Sequence, residues 1–350
     1  MNSCERVLLA LSHQQPDRVP IDFTCTPETE SILKRHFRTN DTDVVREHLG
    51  VDIVHIKPRY IGPPLVTYDD GSFVDFWGVI RKPVPHGFGH YDEICHYPLS
   101  WVKSVSDLNL CTWPGPDWFD YNSLNELIGS HPGKAFSISN MNVFESTWYM
   151  RGLDQIMIDM VESPELADEL LGRTGDFLCK YIQRSLEAAK GRIHIGHCAD
   201  DLATQRGLLI SPAMYRRFLQ PHHSRLAKII HGFGAKVFFH SCGAVTDLIP
   251  DLINSGIDIL NPLQFDADGM DPVNMKTMFG RQISFWGGIS VQKTLPFGSV
   301  RDVRQEVRER INVLGKDGGY VLSSSHDIQH DTPLGNILAM YDEARKGKGL

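Results

Sequence analysis

Short runs of apolar, β-branched residues alternate with longer amphipathic stretches over most of this chain, a pattern that predicts a parallel α/β fold. Eight runs read as strands: Arg18–Phe23, Val51–Ile56, Ala135–Ser139, Arg192–Gly196, Ala235–His240, Ile257–Asn261, Ile283–Trp286 and Gly319–Ser323. Eight parallel strands fit a closed (β/α)8 TIM barrel, although counting alone also admits a doubly wound sheet. Start signals place the helices between them. Ser211 before Pro212 sets a serine cap ahead of a proline at the first helical position and opens a long helix to about Gly232. Ser163-Pro164 opens another running towards Ala189, Asp271-Pro272 one ending near Gly280, and Thr332-Pro333 the last. From Leu65 to about Trp113 the rhythm breaks. Gly71, Gly78, Gly87 and Gly89, with prolines and aromatics around them, predict a hairpin excursion at about 65–113 on a single barrel domain spanning 1–350.

Composition narrows the class. Hydrophobic residues at 41% and charged residues at 22% are ordinary globular values. A net charge of −8 without any basic run argues against a nucleic-acid surface. No apolar stretch approaches the roughly 18 residues of a membrane span. The polar, periodic opening from Met1 to Pro20 lacks the layout of a signal peptide. Seven cysteines, at positions 4, 25, 95, 111, 179, 198 and 242, show no paired spacing, as expected of reduced thiols in the cytoplasm.

Barrel chemistry sits at the carboxyl ends of the strands, where the βα loops converge. That rule collects Asp22, His55, Lys57, Asn140, Asn142, His197 to Asp201, His240, Cys242, Asn261, Gln264, Trp286 and His326 at one mouth. Within this set His240-Ser241-Cys242 is the sharpest signal. It follows the apolar run Val237 to Phe239, and a period of two points the imidazole and the thiol the same way. Nitrogen and soft sulfur together suit zinc; a buried cysteine beside a histidine bonded to a loop carbonyl fits the same spacing. His326, just past the last strand, is either a third ligand or the cap of the following turn. Asp200 and Asp201 form the other dense cluster, open to a role as general acid, metal ligand or loop closure. The adjacent His197 and Cys198 point to opposite faces of their strand, so one of them belongs to the core.

Several stretches carry a family resemblance. They are Arg6-Val-Leu-Leu-Ala-Leu, Pro16-Asp-Arg-Val-Pro, Asp200-Asp-Leu-Ala-Thr-Gln to Ser211-Pro-Ala-Met-Tyr, and Gly234-Ala-Lys-Val-Phe-Phe-His-Ser-Cys-Gly. Asp258-Ile-Leu-Asn-Pro-Leu-Gln, Phe285-Trp-Gly-Gly-Ile and His326-Asp-Ile-Gln continue the series in order. Together they resemble the uroporphyrinogen decarboxylase-like superfamily, which implies a single barrel of that type. The true decarboxylase carries an early arginine-rich signature for its eight-carboxylate tetrapyrrole, whereas the comparable stretch here, Ile21 to Glu30, has no arginine.

The resemblance therefore points to the corrinoid-dependent methyltransferase branch. That branch is similar in using His-x-Cys and a distant cysteine to bind zinc; His240 and Cys242 match, and His326 stands where the second cysteine would be. This departure favours a substrate-demethylating enzyme over a coenzyme M-type transferase. The implied enzyme moves a methyl group between a small substrate, such as an aryl methyl ether, and the cobalt of a separate corrinoid protein. No Asp-x-His-x-x-Gly cobalamin motif is present in the chain. Zinc is assigned to His240, Cys242 and His326, and acid chemistry to Asp200 or Asp201. Substrate contact is expected of Asn140, Gln205, Asn261 and Trp286, with Trp148 and Tyr149 as further aromatic walls. Two rival readings are a decarboxylase of a smaller acid and a non-catalytic barrel that binds a ligand or a corrinoid protein.

Overall fold

Seven of the eight expected strands form one parallel sheet in the computed structural model, which describes residues 1–87 and 89–346, with the backbone alone at 139 and 140. Ile53–Ile56, Ala135–Met141, Ile195–Ala199, Lys236–His240, Ile259–Asn261, Ser284–Ile289 and Tyr320–Ser324 lie side by side in chain order. The eighth position is filled differently. Residues 20–22 run between the last strand and the first, with Ile21 bridged to Leu322 in parallel. Leu322 N–H donates to the Pro20 carbonyl and Asp22 N–H to the Leu322 carbonyl, while Asp52 N–H donates to the carbonyl of Ile21. The ring closes there. The run Arg18–Phe23 falls short of a regular strand because Pro20 has no N–H to give the ladder.

A buried carboxylate fastens this seam. Asp52 is fully buried and accepts from Arg6 (2.8 Å), from both terminal nitrogens of Arg18 (2.7 and 3.0 Å) and from Ile21 N–H (2.9 Å). Arg6 also binds Asp17 through two nitrogens. A buried ion pair contributes little over an apolar replacement, but removing one partner strands the others.

Period-two alternation sorts the barrel interior into layers. Ile53, Ala135, Ile195, Ile259 and Val321 form an apolar floor, joined from below by Val7 and Leu11 of the helix Ser3–Leu11. Two residues further along the same faces come His55, Ser137, His197, Asn261 and Ser323, so the interior turns polar one step before the mouth. The opposite faces pack against the outer helices in the main core.

Most helices begin where their caps predict. Ser211 accepts from Met214 N–H, and Pro164–Ala189 and Pro272–Phe279 follow Ser163 and Asp271. The final helix, Leu334–Arg345, starts one residue late because Pro333 serves as its cap. The long helix after Ser211 is interrupted: Tyr215–Leu219 is a π turn before Gln220–Gly232. Pro221 cannot donate within the helix, and the wider turn absorbs that loss.

Residues 65–113 contain a three-stranded antiparallel sheet, Phe73–Val74, Ile80–His86 and Gly89–His96. Arg151, buried and paired with Asp159, holds the far end of this stretch through the carbonyls of Leu99 and Val102. Among the described residues no helix is long and apolar enough to cross a membrane.

If the seam is what closes the ring, Asp52→Ala leaves Arg18 without a carboxylate and Arg6 with Asp17 alone, and lowers stability by about 3–5 kcal/mol. Urea unfolding measures this. A loss under about 1 kcal/mol, the scale of a surface pair, would show that the seam is closed by packing alone.

Candidate functional site

The carboxyl ends of the strands open onto a cavity of about 420 Å³ whose walls include Asp22, His55, Glu145, Tyr149, His197, Asp201, His240, Asn261, Trp286 and His326. A second cavity of about 300 Å³ adjoins it. Gln205, Cys242, Gln264, Val291, Gln292, Ser325 and Gln329 line that one, and His326 and Asp327 face both.

The loop 240–243 stands between the two chambers, and its geometry is fixed from several sides. Ser241 is buried and turned away, its hydroxyl accepting from Leu202 N–H, so His240 and Cys242 share the other side. Cys242 N–H donates to Asp201 (2.8 Å) and Gly243 N–H to Gln264 (2.9 Å). Gly243 has φ +89°, and a Cβ there would sit 2.4 Å from the Thr204 carbonyl oxygen, so only glycine lets the loop turn at this point.

Asn261 accepts from His240 Nδ1–H at 2.6 Å, which leaves Nε2 aimed at the thiol 3.4 Å away. Burial holds the His240 imidazole below its ordinary pKa, in the neutral form a metal needs. His326 completes the group: the ligand atoms of His240, Cys242 and His326 all lie within 4.8 Å of one another. In a tetrahedral zinc site with ordinary bond lengths, nitrogen and sulfur ligands stand about 3.6 Å apart. The donor set therefore fits zinc in chemistry, and the 3.4 Å between His240 Nε2 and Cys242 Sγ fits it in spacing. Burial, then the charges of Asp201 and Glu145, push the Cys242 thiol far above its usual range. Metal binding here must release that proton.

The two aspartates separate. Asp201 lines the larger chamber, whereas Asp200 is fully buried behind it and does not face the cavity. Asp200 accepts from Val143 N–H (3.2 Å), Glu145 N–H (2.8 Å) and His223 Nε2–H (2.7 Å), so it anchors the start of the helix Val143–Arg151. A carboxylate at a helix N-terminus needs no catalytic reason to be there. Asn261 borders the cavity with its amide committed, since its nitrogen donates to the Trp286 carbonyl. It positions His240 rather than offering a free hydrogen bond. Trp286 is a buried wall whose indole N–H donates to Asp22 (3.2 Å), and Gln205 belongs to the smaller chamber. The side chain of Asn140 lies outside the described residues. Trp148 packs on Tyr149 and leaves that ring alone to face the cavity. His197 points inward, while Cys198 is buried in the outer core.

Glu145 was not legible as a site residue. It sits one turn into the helix after the strand Ala135–Met141, past the positions that a strand-end rule collects. Asn142 Nδ2 donates to it. Burial first, and then the charges of Asp200 and Asp201, push its pKa up to about 8. Deeper in the chamber, Asp22 binds His55 Nε2 at 3.0 Å. Burial works against the charged imidazole, but the Asp22 charge and hydrogen bond outweigh it and raise the pKa.

The parallel barrel thus carries at its polar mouth a nitrogen and sulfur donor group of a kind that can hold a metal ion. Residues 143–347 match the family model described as uroporphyrinogen decarboxylase (URO-D), and the chain belongs to that family. The methylated-thiol–coenzyme M methyltransferase of Methanosarcina mazei is 30% identical over 196 residues, covering 56% of this chain and 49% of that protein. The methylcobamide:CoM methyltransferase MtaA of Methanosarcina barkeri is 27% identical over 181 residues, covering 51% and 49%. The chain thus spans about half the length of the curated relatives it matches. A solved methyltransferase from Methanosarcina mazei superposes with a TM-score of 0.68 over 98% of both chains at 18% identity, which shows a shared fold.

The elevated Glu145 has a consequence for stability. Between pH 4.5 and about 8 the unfolded chain has lost this proton and the folded protein keeps it, so raising the pH costs stability. In metal-free protein the cost reaches at most about 1.4 kcal/mol per pH unit. Glu145→Gln should therefore gain stability over the unmodified protein steadily from pH 5 to pH 8 in urea titrations. Parallel curves for the two proteins would mean that Glu145 is ionised throughout.

Proposed function

We propose that this chain is a single barrel domain, decorated by residues 65–113, that acts as a zinc-assisted methyltransferase. It would move a methyl group between a small methylated substrate, such as an aryl methyl ether, and the cobalt of a corrinoid carried by a separate protein. The observation that carries this reading is the convergence of His240, Cys242 and His326 beside a polar chamber, in a chain whose curated relatives are methyltransferases.

His240, Cys242 and His326 would hold the zinc, which supplies Lewis-acid stabilisation for the heteroatom that loses or gains the methyl group. The remaining work falls to the chain's own side chains. Asn261 fixes the tautomer and direction of His240, a support of the kind that raises ligand basicity. Asp201 holds the Cys242 backbone in place. In demethylation the carbon–oxygen bond breaks, the methyl passes to cobalt and the oxygen leaves with the bonding pair. A protonated Glu145 at the chamber wall can return a proton to that oxygen. Trp286, Tyr149 and Phe238 wall the chamber against water.

Protein purified without chelator should hold about one zinc per chain. Cys242→Ala should lose most of it and His326→Ala should weaken it, while Cys4→Ala and Cys179→Ala leave it unchanged. Asn261→Ala should lower zinc affinity by about 10- to 100-fold with the fold intact. Full zinc occupancy in Cys242→Ala would place the metal elsewhere.

The corrinoid partner has its own assay. The isolated chain should transfer no methyl group, and adding a reduced corrinoid protein with a methyl donor should change the visible spectrum of the corrinoid. Turnover by the chain alone would contradict the need for a partner.

A further inference from the structure

The smaller chamber touches the same donor cluster from the side away from the barrel axis. Cys242 and His326 form its inner wall, and Gln205, Gln264, Gln292, Gln329 and Ser325 supply most of the rest. This is a wall of neutral donors and acceptors. Gln264 spends its carbonyl on Gly243 N–H, and Gln329 takes the Tyr91 hydroxyl and gives its amide to the Asp327 carbonyl. Gln205 and Gln292 make no side-chain hydrogen bond to another described residue. Charge around the chamber is negative. Asp327 faces it directly, and Asp201 and Asp22 line the larger chamber beyond the cluster. Among the described residues that line either chamber, none is a lysine or arginine. Lys293, next to Gln292, turns to Asp266 at 2.8 Å, and Arg81 stacks on Tyr149 with its Nε–H on Asp75.

We infer that the glutamine-lined chamber is the substrate subsite and that it selects a small, uncharged, hydrogen-bonding molecule, presented edge-on to Cys242 and His326. This rests on the metal site proposed above. Its volume of about 300 Å³ equals about ten water molecules at ~30 Å³ each, the size of one substituted ring. A neutral substrate can pair with the free amides of Gln205 and Gln292, whereas a carboxylate or sulfonate must shed water beside Asp327 and finds no lysine or arginine in return. Filling this side of the cluster leaves the larger chamber, on the barrel axis, open to the methyl-exchanging cobalt.

Two probes of equal size and opposite charge state test the inference: 3-methoxybenzamide and 3-methoxybenzoate, titrated calorimetrically into zinc-loaded and chelator-stripped protein. The amide should bind at least about tenfold more tightly to stripped protein, the scale of one desolvated charge without a partner. Zinc loading should narrow that ratio without reversing it, because the metal offers the carboxylate a cation. Gln292→Lys, an exposed position that tolerates the change, should shift the ratio by about tenfold towards the carboxylate, and Gln205→Lys serves as a second variant. Metal-free protein that keeps this preference but cannot be loaded with zinc would remove the metal reading and leave the subsite standing. Equal binding of the two probes to stripped protein, no shift in either lysine variant, or no binding of either probe at millimolar concentration would overturn the subsite.

Discussion

Everything at the mouth depends on how the barrel is closed. Parallel strands leave two open edges, and here the gap between Tyr320–Ser324 and Ile53–Ile56 is spanned by a single bridged segment around Ile21. The segment has too few ladder bonds to hold by itself. Asp52 makes up the difference by binding Arg6, Arg18 and the Ile21 amide at once. Because the same segment ends in Asp22, which binds His55 and Trp286, the seam sets the floor of the chamber as well as the ring.

With the ring closed, the distribution of polarity along each strand determines what the interior can do. Below lies a dry floor of Ile53, Ile195, Ile259 and Val321, and two residues higher the inward positions are histidine, asparagine and serine. Placing carboxylates and a thiol in such a chamber has visible costs. Glu145 keeps its proton up to about pH 8 because burial and the neighbouring Asp200 and Asp201 all oppose its charge. Burial likewise holds the Cys242 thiol protonated. A divalent cation at the donor cluster would stabilise the Cys242 thiolate, which is the electrostatic argument for one there.

Much of this was legible because it follows from period and punctuation. Strand ends delivered His240, Cys242, Asn261 and Trp286 to one rim, and serine–proline pairs marked the helix starts. The misses share a cause, which is that long-range partners decide a side chain's role. Asp200 and Asp201 are adjacent and alike in sequence, yet one is consumed by the amides of Val143 and Glu145 and the other faces the cavity. Asn261 reads as a free amide until His240 and the Trp286 carbonyl are seen to use both of its ends. Glu145 lies on a helix, out of reach of any strand-end rule. The π turn at Tyr215–Leu219 was hidden because the Ser211-Pro212 start signal is silent about Pro221 further on.

A metal centre formed by His240, Cys242 and His326 would leave room for a substrate atom. X-ray absorption at the zinc edge of the loaded protein tests it most directly. The spectrum should show one sulfur at about 2.3 Å, two imidazole nitrogens at about 2.0–2.1 Å and one exchangeable light atom, with the sulfur contribution absent in Cys242→Ala. A first shell of oxygen and nitrogen alone, or a sulfur contribution that survives Cys242→Ala, would contradict it.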